Sequence, residues 1–253
     1  MPDRTPVANF LYRNPDLYEK VFHQYTRALT DACRIVFHRY LGRPATSILD
    51  VGCGTGVILA NLAGETADCV GIDCDPIMLR LGQNKYPQIG LRLGDMTQLN
   101  LGRQFQAIIA LGSVITYATS GEALDHTIRN LAAHCEMDGI LFISLWNFGI
   151  FLGNSELLRQ TQRIKIDDFV ADLQTTYSFD LAAQTMRRCR KWMRDEKEFA
   201  EDFCMLQVIF PRELTLRLAL SGFEVIGLFG DPDMAVRQLL STGCYIVARR
   251  IPR

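Results

Sequence analysis

The chain has 253 residues, 48% of them hydrophobic, so it can bury a full core, and its length alone does not require two domains. Its 27 basic and 28 acidic residues nearly balance, which argues against a nucleic-acid partner. No apolar run approaches the roughly 20 residues that span a bilayer, and residues 1–10 lack the basic and apolar regions of a secretory signal. We therefore expect a cytosolic protein with no membrane partner.

The N-terminal part, residues 1–46, is predicted to be a helical cap. Between Pro15 and Leu41, apolar residues recur at the spacing of one helix face. Such a stripe is expected to cover the edge of a sheet or a bound ligand.

The most informative segment is a strand that breaks into a glycine-rich turn. Residues 47–51 are an apolar run, Gly-Cys-Gly-Thr-Gly follows at 52–56, and a helical pattern resumes at Val57. Glycines let the backbone turn sharply and approach a ligand closely. Because position 57 is Val, the spacing differs from the Gly-x-Gly-x-x-Gly that places a pyrophosphate on a helix N-terminus. Asp50, just before the turn, would repel a phosphate and attract an ammonium group.

A second acid stands at the end of the next predicted strand. Asp73 ends the run 70–73, about 20 residues after the first glycine, where dinucleotide-binding proteins place the carboxylate that binds a ribose hydroxyl. We therefore expect the ligand to contain a ribose. Further strands at 90–93 and 105–111 end next to polar or small residues, and the ends of parallel strands line one crevice.

The remaining pattern alternates between helix and strand. The predicted elements are helices at 76–85, 121–134 and 211–221, and strands at 140–146, 223–229 and 243–248. This order predicts an α/β fold with a Rossmann-like, doubly wound, mostly parallel seven-stranded sheet.

Residues 147–210 interrupt this alternation and are too long for a simple connection. Three extended segments, 164–179, 185–193 and 198–210, predict a small antiparallel β insertion after the fifth strand, which would roof an acceptor site. The ligand-binding domain then comprises 47–146 and 211–253. Basic residues at 187–194 precede acidic residues at 195–202, which indicates a solvated hairpin with paired charges. A basic acceptor pocket is the alternative.

From Ser47 to the C-terminus the motifs resemble those of class I S-adenosylmethionine-dependent methyltransferases. The resemblance implies S-adenosylmethionine as cofactor and S-adenosylhomocysteine as product. It implies that the backbone at Gly52 and Gly54 holds the methionine part and that Asp73 binds both ribose hydroxyls. The other cofactor-binding residues that it implies are Tyr18, Asp50, Cys53, Met78, Asp95, Met96 and Leu111, with Asp95 on the adenine amino group and Met78 and Met96 on the adenine faces.

Within that family, the layout is similar to small-molecule N-methyltransferases of the glycine and amino-sugar type. Tyr12 and Tyr18 match paired N-terminal tyrosines that close over the sulfonium, and Tyr117 stands where the amino-sugar enzymes carry a histidine. Trp146 and Phe148 match an aromatic cluster after the fifth strand. The resemblance implies that Tyr12 and Tyr117 are catalytic and that Tyr117, Trp146 and Phe148 bind the acceptor.

Methyl transfer to an amine requires mainly that the reacting atoms be aligned. Such alignment can lower the activation free energy by about 7–11 kcal/mol. We therefore expect a small-molecule amine acceptor, in natural-product metabolism, with homo-oligomerisation left open. O-methylation or C-methylation is the alternative, and an NAD(P)-binding reductase or a degenerate methyltransferase-like binding protein is a remoter one. The eight cysteines and four histidines lack metal-ligand spacing, so we expect no metal.

Overall fold

The computed structural model describes residues 9–66 and 68–252, in which helices and strands alternate. Residues 1–8 lie outside the described residues. They belong to the predicted helical cap, and they make up most of the segment 1–10 that was expected to lack a secretory signal. Up to residue 153 the elements are α1 (Pro15–Val21), α2 (His23–Leu41), β1 (Ser47–Val51), α3 (Val57–Leu62), β2 (Asp68–Asp73), α4 (Pro76–Lys85), β3 (Gly90–Leu93), β4 (Phe105–Ala110), α5 (Gly121–His134), β5 (Cys135–Trp146) and α6 (Phe148–Gly153).

Local sequence explains several of these boundaries. Gly42 ends α2 in the left-handed conformation, with φ of 72°. Asp75 caps α4, accepting a hydrogen bond from Ile77 N at 2.8 Å, and Pro76 occupies the first helical position. The single helix predicted over 15–41 is divided at Phe22, whose ring lies 4.9 Å from that of Tyr18. This bend lets α1 contact both α4 and the second sheet described next.

The second sheet is the predicted antiparallel insertion. It consists of β6 (Arg159–Ile166), β7 (Phe169–Asp180), β8 (Thr185–Arg194) and β9 (Lys197–Gln207), paired in chain order. The prediction of three segments was wrong, because residues 164–179 belong to two strands joined at Asp167 and Asp168. Asp167 has φ of 49°, a conformation that aspartate tolerates, so this turn contains no glycine to mark it in the sequence.

The chain then returns to the first sheet through α7 (Pro211–Leu220), β10 (Phe223–Phe229) and β11 (Gly243–Arg250). The strand order is β10-β11-β5-β4-β1-β2-β3, and β11 runs antiparallel to both of its neighbours. The predicted seven-stranded, mostly parallel sheet is confirmed. Strand β5 begins at Cys135 instead of Ile140, since residues around Asp138 continue the strand through an irregular register with β4.

Helices cover both faces of the first sheet. Leu131 of α5 and Leu218 of α7 are fully buried on one face, and Phe37 of α2 and Leu62 of α3 on the other. This layering leaves the carboxyl ends of β1, β2 and β4 at one edge, where the glycine-rich turn lies. Of the helices in the described part of the chain, none has the length and apolar character needed to cross a membrane.

Candidate active site

The glycine-rich turn connects β1 to α3 at the carboxyl edge of the sheet. Gly52, Gly54 and Gly56 have φ values of 75°, 57° and 76°, which favour glycine. The backbone N–H groups of Gly52 and Cys53 both donate to Ile72 O, at 2.8 and 3.0 Å, so the turn is held against β2. A Cβ atom on Gly52 would lie 2.1 Å from Val114 Cγ2, so this position admits no side chain. Gly52 therefore presents bare backbone in this turn.

Asp73 lies beside this turn, as the sequence predicted. Its Oδ2 accepts from Gly54 N at 2.7 Å and its Oδ1 accepts from Asp75 N at 2.8 Å. Burial raises the pKa of Asp73, against the opposing effect of these backbone donors. Each carboxylate oxygen has a second lone pair, so the group can accept two further hydrogen bonds from a ligand.

Asp50 is a buried acid at the end of β1, with 2% of its surface exposed. Burial, together with the negative charge of Asp73, raises its pKa from 3.8 to about 8. A cation placed against Asp50 would relieve both effects. Its environment therefore favours a cationic group, in line with the ammonium group that the sequence indicated.

The other residues predicted to contact the cofactor surround the same edge. Asp95 follows β3 and accepts from both Thr97 N and Thr97 Oγ1 at 2.8 Å. Met78 is buried on α4 and lies close to Gly54, because a Cβ atom added to Gly54 would be 3.3 Å from Met78 Cε. Met96 is half-buried and Leu111 is buried after β4. The structure thus gathers these residues at one edge, and their contacts with a cofactor stay predictions.

Three tyrosines meet above the glycine-rich turn. The hydroxyl oxygens of Tyr12 and Tyr117 are 3.4 Å apart, and the rings of Tyr12 and Tyr18 lie edge to face with centres 5.7 Å apart. Burial raises the pKa of all three tyrosines, and the negative charges of Asp73 and Asp50 further raise that of Tyr18. All three hydroxyls are therefore protonated at neutral pH. The structure thus brings Tyr12, Tyr18 and Tyr117 together, and their roles toward cofactor and acceptor stay predictions.

An aromatic cluster follows β5, and the sequence indicated only part of it. The Trp146 ring stacks on Phe151 with centres 5.3 Å apart and meets Tyr177 of β7 edge to face at 5.6 Å. Phe148 is only 1% exposed and packs in the hydrophobic core beneath this cluster, so its contact with an acceptor stays a prediction. Tyr177 was missed because nothing in the sequence predicts which strand of the insertion faces Trp146.

The inner face of the second sheet is the face that carries Met186, Arg188, Arg190 and Trp192, alternate residues of β8. Arg190 is paired with Asp202 across the sheet, and its Nε donates to Asp202 Oδ1 at 2.7 Å. Both side chains are buried, so the prediction of a wholly solvated hairpin was wrong for this pair. Arg188 is half-buried, with its guanidinium carbon 5.7 Å from the centre of the Trp146 ring.

The polar groups described at this edge are carboxylates, tyrosine hydroxyls, backbone amides and the Arg188 guanidinium. Among residues 9–66 and 68–252, no group of three or more histidine, cysteine or acidic side chains is arranged to hold a metal ion. Thr55 in the glycine-rich turn and Ser113 after β4 have covered hydroxyls without a partner in the described part of the chain. These polar groups stand at the two turns that bound the crevice.

Comparison with known proteins places this architecture. Residues 48–139 match the family model of the methyltransferase domain. A dTDP-3-amino-3,6-dideoxy-alpha-D-glucopyranose N,N-dimethyltransferase from Streptomyces fradiae is 32% identical over 148 residues, which cover 56% of this chain and 57% of that protein. Matches to curated sugar N,N-dimethyltransferases span 42% to 57% of the relatives' length.

Two solved structures show the same fold over nearly the whole chain. An S-adenosylmethionine-dependent methyltransferase from Clostridium acetobutylicum has a TM-score of 0.78 at 14% identity, covering 96% of this chain and 100% of that one. The sugar N-methyltransferase KedS8 from Streptoalloteichus has a TM-score of 0.77 at 23% identity, covering 94% and 93%. The chain therefore contains a methyltransferase domain, in the Rossmann-like fold of the class I S-adenosylmethionine-dependent methyltransferases.

Proposed function

We propose that the protein transfers a methyl group from S-adenosylmethionine to an amine nitrogen of a small, amino-sugar-like natural-product metabolite. The observation that carries this proposal is the meeting of Tyr12 and Tyr117 hydroxyls, 3.4 Å apart, beside the glycine-rich turn. Curated relatives named as amino-sugar N,N-dimethyltransferases support an amine as the acceptor.

The residues at the turn fit the cofactor. Asp73 keeps lone pairs for two ribose hydroxyls, and the raised pKa of Asp50 favours a neighbouring ammonium group. Gly52 and Gly54 expose backbone where a side chain would be excluded or strained. When bound there, S-adenosylmethionine supplies a methyl group activated by a positively charged sulfur.

The protein's own contribution is to orient the acceptor. Tyr12 and Tyr117 are neutral at neutral pH, because burial raises the pKa of both. Their hydroxyls can accept a hydrogen bond from the amine and direct its lone pair toward the methyl carbon, and alignment of this kind can supply about 7–11 kcal/mol. No ionised tyrosine is needed, since a neutral amine is already a nucleophile.

This arrangement favours an amine over an alcohol. A hydroxyl acceptor must lose its proton during attack, which calls for a placed base with a pKa near the working pH. The tyrosines that meet above the turn, Tyr12, Tyr18 and Tyr117, hold their protons more tightly than free tyrosine does. We therefore rank O-methylation and C-methylation below N-methylation.

The second sheet is proposed as the roof of the acceptor site. Its inner face packs Cys204 and Leu206 in one cluster with Trp146 and Tyr117, which supports its place over the acceptor side of the crevice. This assigns residues 147–210 to the lid, 47–146 and 211–253 to cofactor binding, and 1–46 to the cap that brings Tyr12 and Tyr18 over the site.

Two measurements test the proposal. Calorimetry with S-adenosylhomocysteine and NADH should show binding of the former, and preference for NADH would instead identify a reductase. Mass spectrometry of small amines and matched alcohols incubated with S-adenosylmethionine should then show a gain of one or two methyl groups on amines. Methylation of the alcohols alone would contradict the amine assignment, and tight cofactor binding without any turnover would indicate a binding protein.

A further inference from the structure

Two arginines of β8 point to the same face of the second sheet, two residues apart, and their surroundings differ. Arg190 stands in a cross-strand row with Thr175 and Asp202, and Arg188 stands in the next row with Tyr177 and Cys204. The acid beside Arg190 is thus replaced by a thiol beside Arg188.

This difference gives Arg190 an acid beside it and leaves Arg188 without one, although Arg190 Nη2 is itself covered and has no hydrogen-bond partner in the described part of the chain. Arg190 Nε donates to the buried carboxylate of Asp202 at 2.7 Å. Arg188 has no hydrogen-bond or ion-pair partner in the described part of the chain, and its Nε is covered by neighbouring atoms. The ring of Trp146, 5.7 Å away, is the cation–π partner of Arg188.

A half-buried guanidinium that has a covered Nε and no anion beside it is costly to maintain. Taking a charge out of water carries a large desolvation penalty unless a counter-charge and hydrogen bonds compensate it. The adjacent row shows that this sheet can supply a carboxylate for a buried arginine. A charged side chain that is left without a counter-charge in the folded protein is therefore expected at a functional site.

The charges of the site are ordered along the crevice. Asp50 and Asp73 lie at one end, and their negative charges act on Tyr18. Tyr12 and Tyr117 lie next to each other, and Tyr117 shares a hydrophobic cluster with Trp146, the ring over which Arg188 lies. The crevice therefore has an acidic end, a tyrosine centre and a cationic end.

We propose that Arg188 binds an anionic group of the acceptor, a carboxylate or a phosphate, while the acceptor's amine lies at Tyr12 and Tyr117. The inference rests on the proposed function, and it narrows the acceptor to amines that also carry a negative charge. The planar guanidinium suits a bidentate contact with either group, and its contact with the Trp146 ring orients it.

The test uses the whole protein saturated with S-adenosylhomocysteine. Calorimetric titrations with acetate, inorganic phosphate and pyrophosphate, at constant ionic strength, should show saturable binding of at least one anion. Arg188→Gln should weaken this binding about tenfold or more, as expected for loss of a charge-assisted contact. Arg187→Gln is the matched control, because Arg187 is exposed on the opposite face with its guanidinium over Phe203.

The outcomes separate this inference from the proposed function. The inference would be overturned if none of the three anions bound saturably, or if Arg188→Gln and Arg187→Gln weakened anion binding equally. Normal binding of S-adenosylhomocysteine in the same experiment would leave the proposed function standing. Failure of S-adenosylhomocysteine itself to bind would refute the proposed function. Binding of acetate alone would identify a carboxylate, and binding of phosphate or pyrophosphate alone a phosphate.

A stability measurement distinguishes a ligand-binding arginine from a structural one. We expect Arg188→Met to leave the urea midpoint of the free protein unchanged or to raise it, because it removes an uncompensated charge. Arg190→Met should lower the midpoint, since it leaves Asp202 buried without its partner. An equal loss of stability in both variants would make Arg188 structural and overturn the inference.

Discussion

The carboxylate of Asp202, on β9, accepts a hydrogen bond from the backbone N–H of Phe10 across 3.3 Å. The same carboxylate also accepts from Arg190 Nε and from Trp192 Nε1, at 2.7 and 3.2 Å. Phe10 packs on the Trp192 ring, with ring centres 4.9 Å apart. Because Tyr12 lies two residues farther along, the second sheet holds the segment that delivers a proposed catalytic hydroxyl.

Replacing Asp202 by asparagine should therefore affect both stability and turnover. The change leaves Arg190 buried without a counter-charge, and loss of one partner of a buried pair costs about 3–5 kcal/mol. We expect a loss of that order in urea unfolding, and a fall in turnover as Tyr12 is released. Glu201→Gln is the control, since Glu201 is exposed and lies 4.0 Å from Lys191. Equal stability of the two variants would contradict this account.

Asp73→Ala should weaken S-adenosylhomocysteine binding. Two charge-assisted hydrogen bonds to ribose hydroxyls would be lost, each worth about 1.5–3 kcal/mol at most. Calorimetry checks the effect, with Asp68→Asn as the control because Asp68 begins the same strand and forms an exposed pair with Arg103. Unchanged affinity in Asp73→Ala would place the ribose elsewhere.

Tyr117→Phe should lower turnover more than cofactor affinity. The variant keeps the ring but removes a hydroxyl that lies 3.4 Å from that of Tyr12, at the proposed position of the amine. Loss of one hydrogen bond of about 0.5–1.5 kcal/mol predicts a fall in kcat of roughly 2- to 12-fold. Tyr86→Phe, whose hydroxyl contacts Glu19 on α1, should leave kcat unchanged. Equal losses of turnover and affinity in Tyr117→Phe would refute its acceptor-side position.

Asp50 should make stability and cofactor binding depend on pH in opposite directions. Its pKa is about 8 in the folded protein and 3.8 as a free side chain, so between these pH values the folded state holds a proton that the unfolded state lacks. The stability of the free protein should therefore fall as pH rises from about 4 through 8. Urea unfolding of Asp50→Asn should lack this component and show a more stable protein at pH 8.

Cofactor binding should instead improve as pH rises toward 8. If the ammonium group of S-adenosylhomocysteine pairs with ionised Asp50, binding must displace the proton that the free protein holds there. The affinity can then rise by at most about tenfold per pH unit below pH 8. Calorimetry in buffers of different ionisation enthalpy measures the released proton directly. An equal proton release by Asp50→Asn would remove Asp50 from this role.

The fold and the cofactor edge were accessible from sequence because they depend on local rules. Strand, turn and helix at 47–62 follow from an apolar run and three glycines, and the seven-stranded sheet follows from alternation of elements. The resemblance to class I methyltransferases rests on the same segment and is confirmed by the match over residues 48–139. The individual cofactor contacts stay predictions.

The second sheet was less accessible because its faces depend on register. Arg188 and Arg190 share parity with the buried residues Met186 and Trp192, whereas Arg187 faces outward, although all the arginines look alike in a charged block. A shift of one residue exchanges the two faces of a strand. The alternation between Met186 and Trp192 was the available signal, but the bulge after Trp192 ends it.

The second sheet combines two apolar ends with a polar middle. Leu173 and Trp192 pack with the N-terminal segment at one end, and Met186 and Leu206 pack toward β5 at the other. The rows of Arg190 and Arg188 lie between them. Related enzymes could thus diverge in substrate preference by exchanging a single central row, while the flanking hydrophobic anchors preserve the architecture of the roof.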